Sequence, residues 1–117
     1  MAHTPGFVAL TQDAKTRIHE ITLNALEEKR ARGEPLTLID VREESEWAAG
    51  SIPFAIHVSK GLLECDIEEI VPDKNTHIVL FCGGGFRSAL AADNLQKMGY
   101  KHVHSLIGGY RGWVQRK

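Results

Sequence analysis

The chain has 117 residues, 43% of them hydrophobic and 25% charged, with a formal net charge of −1. That length suits one domain able to bury a core without disulfide or metal staples, and the near-zero charge creates no field that would favour nucleic acid or an anionic membrane. Residues 1–10 hold neither a long apolar segment nor a basic leader, so no signal peptide and no membrane span are expected. Two cysteines, Cys65 and Cys82, make no disulfide framework. The default expectation is a reducing, cytoplasmic setting, where cysteines are more often catalytic or metal-binding than cross-linked.

In chain order, residues 1–10 read as a flexible N-terminal arm, followed by a single domain over 11–117. Thr11 to Arg17 predicts a short helix with Thr11 as its cap. Ile18 to Ile21 reads as a short edge strand. Thr22 then caps a helix over Leu23 to Arg32, with Leu23 and Leu26 on its apolar face and Gly33 as its stop. Leu36 to Asp40 reads as a buried strand that delivers Asp40 and Arg42 to its C-terminal end. One or two helical turns follow over Glu43 to Ala49, then a strand over Ile56 to Val58. Gly61 to Ile70 has helical spacing, and Cys65 in that pattern reads as a packing residue. His77 to Phe81 is an unbroken apolar run beyond its first residue, as expected of a strand covered on both faces. Ser88 to Met98 predicts a helix with Leu90, Ala91, Leu95 and Met98 on one side, ended by Gly99. His102 to Leu106 is the last strand, and Gly108-Gly109 turns into a final short helix carrying Trp113. Trp47 and Trp113 read as core or staple residues. Strands alternating with helices predict an α/β fold with a parallel sheet and helices on both faces. In such sheets ligands bind beyond the carboxyl ends of the strands, where Asp40, Arg42 and the segment after Phe81 all fall.

That segment is Cys82-Gly83-Gly84-Gly85-Phe86-Arg87-Ser88. A cysteine ends a buried strand, an arginine begins a helix, and three glycines lie between. Glycines let successive N–H groups turn inward into an anion-binding nest, and a helix start adds free N–H groups and partial positive charge. An ordinary thiol, with a pKa of about 8.5, is roughly 3% thiolate at pH 7. Helix N-termini and nearby cations lower that value. The loop therefore suits a thiolate, assisted by Arg87, that attacks an anionic donor and carries a group covalently. Phe86, at the loop tip, is expected to be exposed and to shape access.

These stretches resemble the single-domain rhodanese-like family, the sulfurtransferases related to thiosulfate sulfurtransferase. The resemblance runs from about Ile21 to Trp113. It rests on Leu38-Ile39-Asp40-Val41-Arg42-Glu43 with Glu46, on Gly50-Ser51-Ile52-Pro53 with Ala55, on Cys82 through Ser88, and on Gly108-Gly109 with Trp113. It implies a five-stranded parallel sheet flanked by helices and transfer of sulfane sulfur through a persulfide. Cys82 would carry the sulfur. Gly83, Gly84, Gly85, Phe86, Arg87 and Ser88 would form the binding loop, with Arg87 holding the donor's anionic end or bracing the loop. Asp40 and Arg42 would position the site. No cofactor or metal is expected. The partners would be a small anionic or persulfide donor and a thiol acceptor, free or protein-borne. Ser51 stands where the family usually has histidine, a change expected to loosen local hydrogen bonding.

The same loop admits two other readings. Cysteine phosphatases and arsenate reductases of this fold place five residues between cysteine and arginine, making room for a tetrahedral oxyanion, whereas Gly83 to Phe86 are four. A non-catalytic binding module of this fold usually lacks the cysteine that this chain keeps. Cys65 is a candidate second thiol. His102 and His104 share one face of their strand but are too few for a zinc site, and read as surface or edge residues.

Overall fold

The computed structural model describes residues 3–116. Five strands form one sheet in the order β1-β5-β4-β2-β3, every neighbouring pair parallel. They are β1 (His19–Ile21), β2 (Thr37–Asp40), β3 (Ile56–His57), β4 (His77–Phe81) and β5 (His102–Leu106). The helices are α1 (Pro5–Lys15), α2 (Leu23–Ala31), α3 (Glu44–Ala49), α4 (Lys60–Ile70), α5 (Phe86–Lys97) and α6 (Gly109–Gln115).

The alternation of β4 organises the interior. Ile78 and Leu80 point into one core with residues of α4 and α5, including Leu63, Ile67, Ala92 and Leu95. Val79 and Phe81 point into the other, with Leu26 of α2 and the half-buried Trp113 of α6. Burial on both faces is why the apolar run carries no polar alternation. Thr22 caps α2 by accepting from the Ala25 N–H at 3.1 Å, as its residue type predicts.

The N-terminus departs from the sequence reading. The flexible arm assigned to residues 1–10 is helical from Pro5 onward, and Thr11 is a buried residue inside α1 rather than its cap. Met1 and Ala2 at one end, and Lys117 at the other, lie outside the described residues. Pro5 starts the helix where its missing N–H costs nothing. Thr11 and Ala14 then face α5, and Arg17 ties the two helices by donating to both Asp93 carboxylate oxygens at 3.1 and 2.9 Å. Elsewhere the differences are small. The helix expected from Ser88 begins at Phe86, so the loop is shorter than it reads.

Candidate active site

Residues two apart on a strand share a face. Cys82 therefore continues the Ile78–Leu80 side of β4 and lies in the core that faces α5, with 1% of the residue exposed. The chain then turns back through Gly85, whose φ of 103° is left-handed and natural only for glycine, and α5 starts. The turn brings the Gly85 N–H to within 3.1 Å of Cys82 Sγ. The first turn of α5 adds the buried Ser88, whose Oγ is 3.5 Å from Sγ and 2.8 Å from Ser105 Oγ on β5. A thiolate only accepts, so Ser88 donates to sulfur and Ser105 donates to Ser88.

These contacts set the acidity of the thiol. Burial is the largest single influence and opposes ionisation. The Ser88 hydroxyl, its backbone N–H and the N–H groups of Gly85 and Gly84 together outweigh it, so the Cys82 pKa is lowered. The inward N–H groups and the helix start of the sequence reading are both among these donors, the Ser88 hydroxyl is the largest of them, and Arg87 is not among the leading influences.

Arg87 is committed elsewhere. Its Nη1 and Nη2 donate to Glu46 Oε1 and Oε2 at 2.7 and 3.1 Å. Glu46 also accepts the Glu43 N–H at 3.0 Å, closing the first turn of α3. The Arg87 guanidinium beside it holds the Glu46 carboxyl at about 2. Glu46 in turn favours the charged form of Arg87, with Cys82 a lesser contributor. Arg87 braces the loop: a Cβ added to Gly83 would stand 3.2 Å from its Nη2.

Asp40 and Arg42 form a buried pair behind the loop, with Nη2 to Oδ2 at 2.8 Å. Arg42 also donates to the Gly50 carbonyl at 2.7 Å, and its guanidinium lies 4.2 Å from the Tyr110 ring centre. Ser51, standing where the resemblance expects histidine, donates its Oγ to Asp40 Oδ2 at 2.7 Å. The turn into α6 completes the wall. Tyr110 N–H donates to Cys82 O at 2.8 Å and Arg111 N–H to Gly83 O at 3.0 Å. That approach requires Gly109, since a Cβ there would run into the Cys82 carbonyl. Residue type and spacing did not point to Ser105, Tyr110 or Arg111, and Glu46 had entered only as part of a motif.

Other expectations resolve away from the thiol. The Phe86 ring is not free at a loop tip: it is half-buried, 5.9 Å from the Phe7 ring of α1 and 4.2 Å from that of His3. Cys65 is exposed on α4, not packed. His102 stacks on His77 at 4.5 Å, at the end of β4 remote from Cys82. His104 is half-buried on β5, an interior strand rather than an edge, and burial followed by the nearby His19 lowers its pKa. Trp47 stacks on His57 at 5.1 Å, and Trp113 meets Phe54 edge-on at 6.4 Å. Among the described residues, no three His, Cys, Asp or Glu side chains are grouped to hold a metal, and no helix is long and apolar enough to cross a membrane.

The family model for the Rhodanese-like domain matches residues 22–116. The chain belongs to the rhodanese-like family. It is 40% identical over 96 residues to the Bacillus subtilis protein named "Putative sulfurtransferase YtwF", covering 82% of this chain and 90% of that one. The rhodanese-like chain spans only 51% of a second Bacillus subtilis relative, YrkF, to which it is 35% identical over 97 residues, 83% of its own length. Among solved structures it is similar to the human single-domain sulfurtransferase TSTD1, with TM-score 0.74, 27% identity, and coverage of 84% of this chain and 96% of that one. It is also similar to RPA3614 of Rhodopseudomonas palustris CGA009, a protein of unknown function described as a possible tyrosine phosphatase. There the TM-score is 0.85, the identity 28%, and the coverage 97% of this chain and 92% of that one, which takes in α1 as well as the family domain. The chain is thus a rhodanese-like domain, and YtwF and TSTD1 are relatives that carry sulfurtransferase names.

Proposed function

We propose that the protein is a sulfurtransferase that carries sulfane sulfur as a persulfide on Cys82 and passes it to a thiophilic acceptor, cyanide or a thiol. The observation that carries this reading is the convergence of the Ser88 hydroxyl and the Gly85 N–H on one buried sulfur. In the first step the Cys82 thiolate attacks the outer sulfur of the donor. A sulfur–sulfur bond forms, the donor's own bond breaks, and the leaving group departs with the electron pair, as sulfite when the donor is thiosulfate. In the second step the acceptor attacks the terminal sulfur, and Cys82 leaves as a thiolate. Electrons balance without an added oxidant. The donors that hold the thiolate are also suited to the persulfide anion, and the positioning role of Asp40 and Arg42 is supported by the Arg42 guanidinium packing on Tyr110, whose N–H holds the Cys82 carbonyl. Two free cysteines fit a reducing, cytoplasmic setting, and the donor and acceptor are small molecules or persulfide-bearing and thiol-bearing proteins.

The resemblance to RPA3614 favours a second reading, a phosphatase on the same loop. Two features weigh against it: the loop has four residues between Cys82 and Arg87, and Arg87 is already occupied by Glu46. Steady-state assays with thiosulfate and cyanide, run beside an aryl phosphate assay on the same preparation, separate the two. Sulfur transfer without phosphate release is expected. Phosphate release that depends on Cys82, without sulfur transfer, overturns the proposal.

A further inference from the structure

Three arginines surround the Cys82 loop, and two have carboxylate partners. Arg42 is paired with Asp40 and Arg87 with Glu46, so each pair is neutral as a unit. Arg111 differs. It is exposed in the first turn of α6, and among the described residues no carboxylate lies within ion-pairing distance of it.

Its place is fixed by the backbone, because Arg111 N–H donates to Gly83 O at 3.0 Å. The side chain turns back over the loop. A Cβ added to Gly84 would stand 3.2 Å from Arg111 Nη1 and 3.9 Å from Nη2, so the guanidinium lies against the middle glycine. Arg42, Glu46, Gly83, Tyr110 and Arg111 all line one open depression of about 310 Å³, which reaches the loop at Gly83, next to Cys82 in the chain, and has room for a small anion. A thiolate attacking an anionic donor brings two negative charges together, and an uncommitted cation at the loop mouth offsets that repulsion.

We propose that Arg111 is the cation that binds the anionic group of the incoming donor. It sets a preference for small donors that carry negative charge beside the transferable sulfur, the chemistry of thiosulfate and organic S-sulfonates. This assigns to Arg111 one of the two roles expected of Arg87, whose other role, bracing the loop, Arg87 keeps. It rests on the reading of Cys82 as the sulfur carrier, and its test is separable from that reading.

The test uses the full chain with Cys65→Ser, so that Cys82 is the single thiol, and compares Arg111 with Arg111→Gln and Arg111→Lys. Rates of alkylation by iodoacetate, an anion, and iodoacetamide, its neutral counterpart, are measured together with KM for thiosulfate. Arg111→Gln is expected to lower the iodoacetate-to-iodoacetamide ratio roughly fivefold or more and to raise KM by a similar factor, with Arg111→Lys retaining most of both. Salt at about 0.5 M is expected to move the unsubstituted ratio toward that of Arg111→Gln. A purely structural role for Arg111 moves both alkylation rates together, so a ratio unchanged by Arg111→Gln overturns the proposal. If no variant takes sulfur from thiosulfate or from a glutathione persulfide donor but the ratio still falls in Arg111→Gln, the sulfur-transfer reading fails and the anion role of Arg111 stands.

Discussion

The molecule holds two cysteines in opposite settings. Cys65 is exposed on α4, between Glu64 and Asp66. Cys82 is buried where β4 ends, with serine and amide donors on its sulfur. Exposure alone would favour Cys65. Donors converging on one sulfur favour its ionised form even where burial opposes it.

The comparison breaks most sharply at Cys82 itself. Cys82→Ser is expected to lower sulfur transfer by about three orders of magnitude or more, to background, with circular dichroism and melting retained, because the step needs a sulfur nucleophile. Ser88→Ala removes a hydrogen bond to a charged acceptor, worth about 1.5 kcal/mol. The alkylation rate of Cys82 at pH 7 should fall about tenfold, with its pH inflection moved upward; an unmoved inflection contradicts the assignment of Ser88. Glu46→Gln unpairs Arg87 and removes one brace of the loop. A few-fold loss in transfer and a stability change below about 1 kcal/mol are expected, since the pair is partly exposed. The same pair has a pH signature. The Glu46 carboxyl is held at about 2 when folded, below its unfolded value of 4.5, so its stabilisation is complete above about pH 4.5 and lost as pH falls toward 2. Acid melting curves of Glu46→Gln should lack that component. Smallest of all, Cys65→Ser should leave sulfur transfer within about twofold of the unsubstituted chain.

The sequence revealed β4 and its loop because an apolar run, a cysteine, three glycines and an arginine are contiguous. Asp40 and Arg42 were legible as the end of a neighbouring strand. What stayed hidden depends on three-dimensional register. Glu46 meets Arg87 across 41 residues, Ser105 meets Ser88 across 17, and Arg111 reaches Gly84 from a turn whose path only the sheet order defines. Cys65 was misread because α4 carries more apolar residues than it buries. Leu63 and Ile67 face the core, whereas Leu62 and Ile70 are 56% and 43% exposed. The sequence reading starts α1 at Thr11 rather than Pro5 because Gly6 weakens a local pattern whose real support is packing against α5, although Pro5 is a usable start signal.

On the proposed function, sulfur is carried on the buried cysteine and not on the exposed one. Intact mass spectrometry after incubation with thiosulfate, followed by peptide mapping under non-reducing conditions, tests it directly. A gain of about 32 mass units is expected on the Cys82 peptide alone, removed by cyanide. A gain on the Cys65 peptide with Cys82 unmodified would contradict it.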